Sequence, residues 1–151
     1  MTGSPSFKLR KATLQDVDIT YQWQIHPAVR RFSRIETPPD FEDHQNWFVQ
    51  SLKNRYREIW IFESAGQPIG QLRVDIGDKN EVSILISPDV TGKGYGDVAL
   101  KLICDYYRDI DLWAYVKVDN IASIKLFTKN KFVHQYGNWY MLRSIKSMYS
   151  G

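Results

Sequence analysis

"PDVTGKGYGDVALKL", residues 88–102, sets glycines at 92, 94 and 96 with Lys93 between the first two, then passes without a break into an apolar pattern of helical period. A backbone freed of side chains at every second residue, immediately ahead of a helix, leaves main-chain N–H groups uncovered at the positive end of the helix dipole. Such a loop suits an anion. Its glycines let a bulky diphosphate approach the main chain, and Lys93 adds a point charge. Two familiar phosphate loops do not fit. G-x-x-x-x-G-K-[ST] fails because Gly94 follows Lys93, and G-x-G-x-x-G begun at Gly92 fails because Asp97 stands at its last position.

Working outward, the three stretches ahead of this loop alternate as strands do: "EIWIFES" (58–64), "IGQLRVDI" (69–76) and "NEVSILIS" (80–87), joined by "AGQP" and "GDK" turns into an antiparallel meander. Farther upstream, residues 7–11 read as a first strand. Thr13 with Asp16 opens a helix carrying Leu14, Val17 and Tyr21 on one face and ending at Pro27, and a second helix starts near Pro39–Asp40 with Phe41, His44, Phe48 and Leu52 in phase. Downstream, Val98, Ala99, Leu102, Ile103 and Tyr106 mark a third helix, "LWAYVKV" (112–118) a strand, and Asn120 the cap of a helix over 121–129. The chain closes with "KFVHQYG" and "NWYMLRS", hinged at Gly137-Asn138. The order β-α-α-β-β-β-α-β-α-β-β predicts an α/β (α+β) fold: a mixed, mostly antiparallel sheet of about seven strands, helices on both faces, and a parallel fourth and fifth strand. Residues 1–6 and 144–151 read as frayed ends.

At 151 residues the chain is expected to form one domain, 1–151. Its net charge of +3 is spread without a Lys/Arg block, which favours anionic ligands weakly and argues against nucleic acid. With Cys104 alone there is no disulfide framework, and no apolar run has signal-peptide or membrane-spanning length, so a cytoplasmic protein without membrane contact is expected. No H-E-x-x-H or paired His/Cys spacing points to a metal. Cys104, mid-helix without an obvious base, reads as packing, and no G-x-S-x-G supports a serine ester.

"SPDVTGKGYG" (87–96) and "NIASIKLFTKNKF" (120–132) together resemble the two acetyl-CoA-binding motifs of the GNAT superfamily of N-acetyltransferases, whose element order matches the one above. The resemblance implies that the backbone of Gly92, Lys93, Gly94, Tyr95 and Gly96 holds the pyrophosphate of acetyl-CoA. It also implies that the fourth strand splays from the fifth so that its edge at Leu85 and Ile86 pairs with the pantetheine arm, and that Asn120, Ser123 and Phe127 lie along the cofactor. Thr91 replaces the Arg or Gln usual in the first motif. Phe127 replaces the tyrosine that usually protonates the leaving thiolate; a phenyl ring donates no proton, so that role is vacant or filled elsewhere, although a thiolate with a pKa of about 8.5 leaves tolerably unaided.

"WQIHPAVRRFS" (23–33) and "EDHQNWF" (42–48) resemble stretches of GNAT enzymes that acetylate a nucleotide-linked deoxyamino sugar, as in pseudaminic acid biosynthesis, with Gln24 and Ile25 in place of the usual Arg-Asn. Read from the residues alone, His26, Arg30, His44 and Trp47 stand on helices facing a groove, where either a uridine-type base stacks on Trp47 and a diphosphate pairs with Arg30, or Trp47 is a core ring and Arg30 a solvated charge. Other acceptors of the same fold, a protein N-terminus, a polyamine or an antibiotic, stay open, as does a non-catalytic acyl-CoA sensor. Oligomeric state is open too, a homodimer being one option. Strand parity adds a pair of carboxylates. A three-residue Gly77-Asp78-Lys79 turn sets Asp75 beside Glu81 and Arg73 beside Ser83 on one face, which is either a wet hairpin end or the acceptor site, where a neighbouring carboxylate raises one pKa and Arg73 steadies the other; the resemblance, in which the fourth strand often carries the base, implies Glu81 as base and Asp75 as its partner.

Overall fold

The computed structural model describes residues 6–149. Seven strands form one sheet in the order β1-β2-β3-β4-β5-β7-β6: β1 (Phe7–Lys11), β2 (Arg57–Ser64), β3 (Gln67–Asp75), β4 (Glu81–Ile86), β5 (Leu112–Tyr115), β6 (Val133–Tyr136) and β7 (Trp139–Leu142). All neighbours are antiparallel except β4 and β5. The β2–β3 turn is tight, with Ala65 and Gly66 both at positive φ (51° and 80°) between paired Ser64 and Gln67. That pair of left-handed residues matches the twist of the flanking strands.

Helices cover both faces. On one, α1 (Val17–Gln24) and α3 (Phe41–Lys53) pack Val17 and Phe48 onto Ile59 of β2. On the other, α4 (Tyr95–Tyr106) and α5 (Ile121–Lys129) close the larger core around Leu72, Val74, Val82, Leu100, Ile103 and Phe127. Strand alternation makes this division, because Ile59 and Trp60 must point to opposite faces. The capping box at Thr13 forms as its spacing predicts, with the Asp16 carboxylate accepting from Thr13 N–H and a short 3₁₀ turn leading into α1. Burial opposes the charge on Asp16, but two 2.8 Å bonds from Arg10 and the Thr13 amide outweigh it and hold the carboxyl below its usual range.

Several local expectations need correction. Pro27 does not merely end the first helix; it occupies the first position of a further one, α2 (Pro27–Arg30), where a missing N–H is tolerated, and His26 caps it. Residues 145–149 form α6, its entry fastened by Ser144 N–H to Asp111 Oδ1 at 2.6 Å, so the frayed-end reading fails there, while residues 1–5, 150 and 151 lie outside the described residues. β5 stops at Tyr115 instead of running to Val118. The buried face of α4 is Ala99, Leu100, Ile103 and the following Tyr107; Leu102 and Tyr106 face outward, because the sheet meets this helix nearly a quarter-turn from the face periodicity suggests. Leu14 is likewise exposed, and Thr20 and Trp23 complete the buried side of α1.

Candidate active site

β4 and β5 share a single pairing, Glu81 with Trp113, tied by Trp113 N–H to the Asn80 carbonyl at 2.8 Å. Past that point β4 stays bonded to β3 and β5 to β7, Val116 N–H still reaching the Asn138 carbonyl. With each strand held from outside and nothing holding them to one another, they diverge and open a cleft of about 640 Å³. One wall is β4 from Glu81 to Ile86. The opposite wall is Tyr115, Val116, Lys117 and the start of α5 with Asn120, Ser123 and Phe127. The edge of β4 at Leu85 and Ile86 has no strand partner on the cleft side, which suits an extended ligand that carries amides.

The glycine loop lies at the start of α4. Gly92 and Gly94 have φ of 79° and 77°, and a Cβ on either would meet nothing within 4 Å, so both positions need glycine's backbone freedom and front open space. Gly94 caps α4 with no side chain, leaving the N–H groups of Tyr95, Gly96 and Asp97 ahead of the first helical bond. Open left-handed glycines, uncapped amides and the exposed Lys93 form a donor set that fits a diphosphate. Gly96 serves differently: a Cβ there would press on Leu126 at 3.4 Å, so its role is close packing of α4 on α5. The Tyr95 ring turns away into the core, edge-on to Phe7, and only its main chain is available to the loop.

The acceptor face is built from cross-strand rows. Arg57, Asp75 and Glu81 stand abreast on β2, β3 and β4, then Ile59, Arg73 and Ser83, then Ile61, Gln71 and Leu85. Asp75 therefore pairs with Glu81, and Arg73 with Ser83, as parity predicts. Both carboxylates stand against guanidiniums as well as against each other. Arg57 Nε binds Asp75 Oδ1 at 2.7 Å, Arg73 Nε lies 3.1 Å from Asp75 Oδ2, and Arg34 Nη2 binds Glu81 Oε2 at 2.6 Å, so three guanidiniums surround two carboxylates. Asp75 anchors Arg73 and is not on the cleft wall, whereas Glu81 is the one carboxylate that lines it among the described residues. Burial lowers the pKa of Arg73 despite the opposing pull of Asp75. Gln71, also on the wall, is buried with an Oε1 that finds no partner in the protein.

The predicted acceptor residues divide. Arg30 lines the cleft; Nη1 donates to the carbonyls of Ile35 (2.8 Å) and Thr37 (3.3 Å) and Nη2 to Gln24 Oε1 (3.0 Å), which holds the α2–α3 connection in shape, while its buried Nε has no partner among the described residues. His44 is a correction: it is buried, with Nε2 3.1 Å from Thr20 Oγ1 and its ring against Tyr21, Trp47 and Phe48. Burial pushes its pKa down. Trp47 does not line the cleft either; the guanidiniums of Arg57 and Arg73 lie 5.3 and 5.5 Å from its ring, so it is a support for Arg73. His26 uses Nδ1 to cap α2 and lines a separate hollow with Trp23 and Asp89. Phe127 sits at the cleft, edge-on to Phe132 and 4% exposed. Arg34, Tyr115 and Lys117 line the cleft without any prior expectation; alternation with Trp113 could have signalled Tyr115, but Arg34 lies in a connection with no periodicity to read. Burial pushes the Cys104 thiol up to about 12, in keeping with a packing role. No group of three or more His, Cys, Asp or Glu able to hold a metal occurs among the described residues.

A splayed parallel pair beside an uncapped glycine loop is the geometry that the resemblance implied, and residues 7–133 match the acetyltransferase (GNAT) domain family. The chain belongs to the GNAT acetyltransferase family. Acetyltransferase PseH of Campylobacter jejuni is 28% identical over 124 residues, which are 78% of this chain and 77% of that protein. Spermidine N(1)-acetyltransferase of Escherichia coli K12 is 24% identical over 140 residues, 87% of this chain and 75% of its own length. Among solved structures, a domain from Methanocaldococcus jannaschii superposes with a TM-score of 0.80 at 24% identity, covering 91% of this chain and 97% of that one. Spermidine N-acetyltransferase from Vibrio cholerae, in complex with CoA and spermine, does so at 0.83 and 17% identity over 94% and 98%. These superpositions establish a shared fold. As a GNAT member the chain is an acetyl-CoA-dependent N-acetyltransferase. No helix among the described residues is long and apolar enough to cross a membrane.

Proposed function

We propose that this GNAT domain acetylates a primary amine on an anionic acceptor, and that the acceptor is a nucleotide-linked deoxyamino sugar. The observation that carries this reading is the ionisable lining of the cleft among the described residues: Arg30, Arg34, Arg73 and Lys117 against Glu81, with Asp75 and Glu36 pairing Arg73 and Lys117 from outside it, so that cations still outnumber carboxylates. A polyamine would enter against that excess of like charge, whereas a diphosphate would be drawn in. The likeness of residues 23–33 and 42–48 to enzymes of nucleotide-linked amino sugars supports the same choice.

In this reading Gly92, Lys93, Gly94 and the amides of Tyr95 and Gly96 hold the pyrophosphate of acetyl-CoA, and the β4 edge at Leu85 and Ile86 pairs with its pantetheine amides. Asn120, whose Oδ1 accepts from Ser123 N–H at 3.2 Å, sets the first turn of α5 along the thioester end. Acetyl-CoA supplies the activated acetyl group. Glu81 would take a proton from the acceptor's ammonium, and the freed nitrogen would bond to the thioester carbonyl carbon as the C–S bond breaks, coenzyme A leaving as the thiolate and the nitrogen shedding its extra proton to water. Phe127 offers no proton; Ser123, one helical turn before it on α5, and Tyr115, whose hydroxyl accepts from Asn138 Nδ2 at 2.9 Å, are the hydroxyl-bearing residues lining the opposite wall.

The test is acetyl transfer from acetyl-CoA across a panel holding a UDP-linked amino sugar, the same sugar without its nucleotide, spermidine and an N-terminal peptide. A kcat/KM at least tenfold higher for the UDP-linked sugar is expected. Preference for spermidine or the peptide overturns the acceptor assignment, and binding of acetyl-CoA without transfer to any amine overturns the catalytic reading.

A further inference from the structure

The connection between α2 and α3 crosses the mouth of the cleft. Arg30 fastens it from inside through the Ile35 and Thr37 carbonyls, and Lys117 fastens it to the end of β5, with Nζ 3.5 Å from the Arg31 carbonyl and 3.9 Å from Glu36 Oε1. Phe32, Ser33, Arg34 and Ile35 of this strap line the cleft, and Arg34 reaches the carboxylate of Glu81. Arg34 Nη2 bonds Glu81 Oε2 at 2.6 Å, and its Cζ lies 4.1 Å from the ring centre of Tyr115 and 5.2 Å from that of Trp139. A position bounded by a carboxylate and two aromatic rings is a cation site, and the chain's own guanidinium occupies it.

The acceptor's ammonium must reach the same carboxylate to give up its proton, so guanidinium and ammonium compete for one position. A guanidinium cannot itself be deprotonated there, and Glu81 bonded to it is unavailable as a base. The Arg34 side chain is 47% exposed against 16% for Glu81, so Arg34 can swing outward while the carboxylate stays. The strap's main chain is held at both ends by Arg30 and Lys117 and need not move.

We propose that Arg34 masks Glu81 and is drawn off by the anionic part of the acceptor, so that a phosphate-bearing amine uncovers its own base and a neutral or cationic amine does not. The inference rests on the assignment of Glu81 as base and on the anionic acceptor above, and it makes Arg34 a specificity-determining residue. In the exchange the ion pair between Arg34 and Glu81 is replaced by one between Arg34 and a phosphoryl oxygen, and the vacated carboxylate takes the ammonium's proton.

The test compares wild type with Arg34→Ala, Arg34→Gln and Arg34→Lys, each first shown to be folded by its thermal transition. The acceptors are a UDP-linked amino sugar and the same sugar without the nucleotide. The mask requires that Arg34→Ala raise kcat/KM for the free sugar about fivefold, the scale of a partly exposed ion pair, and lower it for the UDP-linked sugar. The preference between the two should then narrow at least tenfold, with Arg34→Lys retaining most of it. Equal changes for both acceptors, or none, overturn the proposal; Arg34→Gln decides if the alanine variant does not fold. Calorimetric titration with the free sugar reads the mask without turnover: tighter binding to Arg34→Ala supports it and equal binding overturns it. A wild type that ignores the UDP-linked sugar, alongside an alanine variant that gains on the free one, would remove the anionic acceptor and keep the mask.

Discussion

Substitutions at Gly94 separate backbone conformation from ligand chemistry at one position. Its φ of 77° is left-handed, and the direction a Cβ would take is open for 4 Å. Alanine there costs about 1–2 kcal/mol of left-handed strain, which for a domain of this size lowers Tm by about 2–8 °C. A methyl in open space carries no charge, so acetyl-CoA affinity should stay within about tenfold of wild type. Glutamate bears the same strain and sets a carboxylate at the diphosphate. One such pair about 4 Å apart at an effective dielectric constant of 20 repels by about 4 kcal/mol, or about a thousandfold in Kd. Asparagine, which tolerates the left-handed region, should keep both Tm and affinity closest to wild type. Calorimetric titration with acetyl-CoA, paired with thermal melts, reads both quantities. A folded Gly94→Glu protein that binds acetyl-CoA within threefold of wild type would refute the placement of the pyrophosphate on this loop.

Glu81→Gln should lower kcat by about 10²–10⁴-fold with acetyl-CoA affinity unchanged, and near-normal turnover would remove Glu81 from the chemistry. Phe127→Tyr should alter turnover less than tenfold, under about 1.4 kcal/mol of barrier, since the site works without that phenol; a hundredfold gain would show that it does not. Gly70→Ala places a Cβ 2.8 Å from the Leu85 carbonyl, so β4 must shift; stability should fall by about 1–3 kcal/mol from the clash alone, and KM for acetyl-CoA should rise, an unchanged KM in the destabilised variant removing the β4 edge as the pantetheine seat. His44 is held neutral by burial while the unfolded chain takes up its proton near pH 6.5, so His44 lowers stability progressively as pH falls below that value; melts at pH 7.5 and 5.5 should show a smaller difference in His44→Gln than in wild type.

The sheet and its helices were legible because their signals are local. Alternation in 58–64, 69–76 and 80–87 yields the meander, and the three-residue turn at 77–79 sets the register, so Asp75 opposite Glu81 follows from counting. The glycine loop alone fitted a plain strand-to-helix turn as well as an anion cradle, and the second motif at 120–132 tipped the reading; the structure puts Gly92 and Gly94 in the left-handed region. Short helices escaped: four residues at Pro27–Arg30 and five at 145–149 are too few for periodicity to register.

What the residues of this chain determined alone was the order of the strands and longer helices, the parity of each strand and the glycine loop before α4, all functions of near neighbours. The tertiary structure decided which polar side chains meet. His44 and Trp47 carry the same helical signal whether they face a cleft or a core, and only the packing of α3 on β2 and β3 turns them inward, one toward Thr20 and the other toward Arg73. Arg34 and Glu81 lie 47 residues apart with no pattern linking them, and their bond exists because a strap pinned by Arg30 and Lys117 passes over the end of β4. Long-range ion pairs are set by where the backbone carries charges, and for a side chain on an irregular connection that position depends on the fold as a whole.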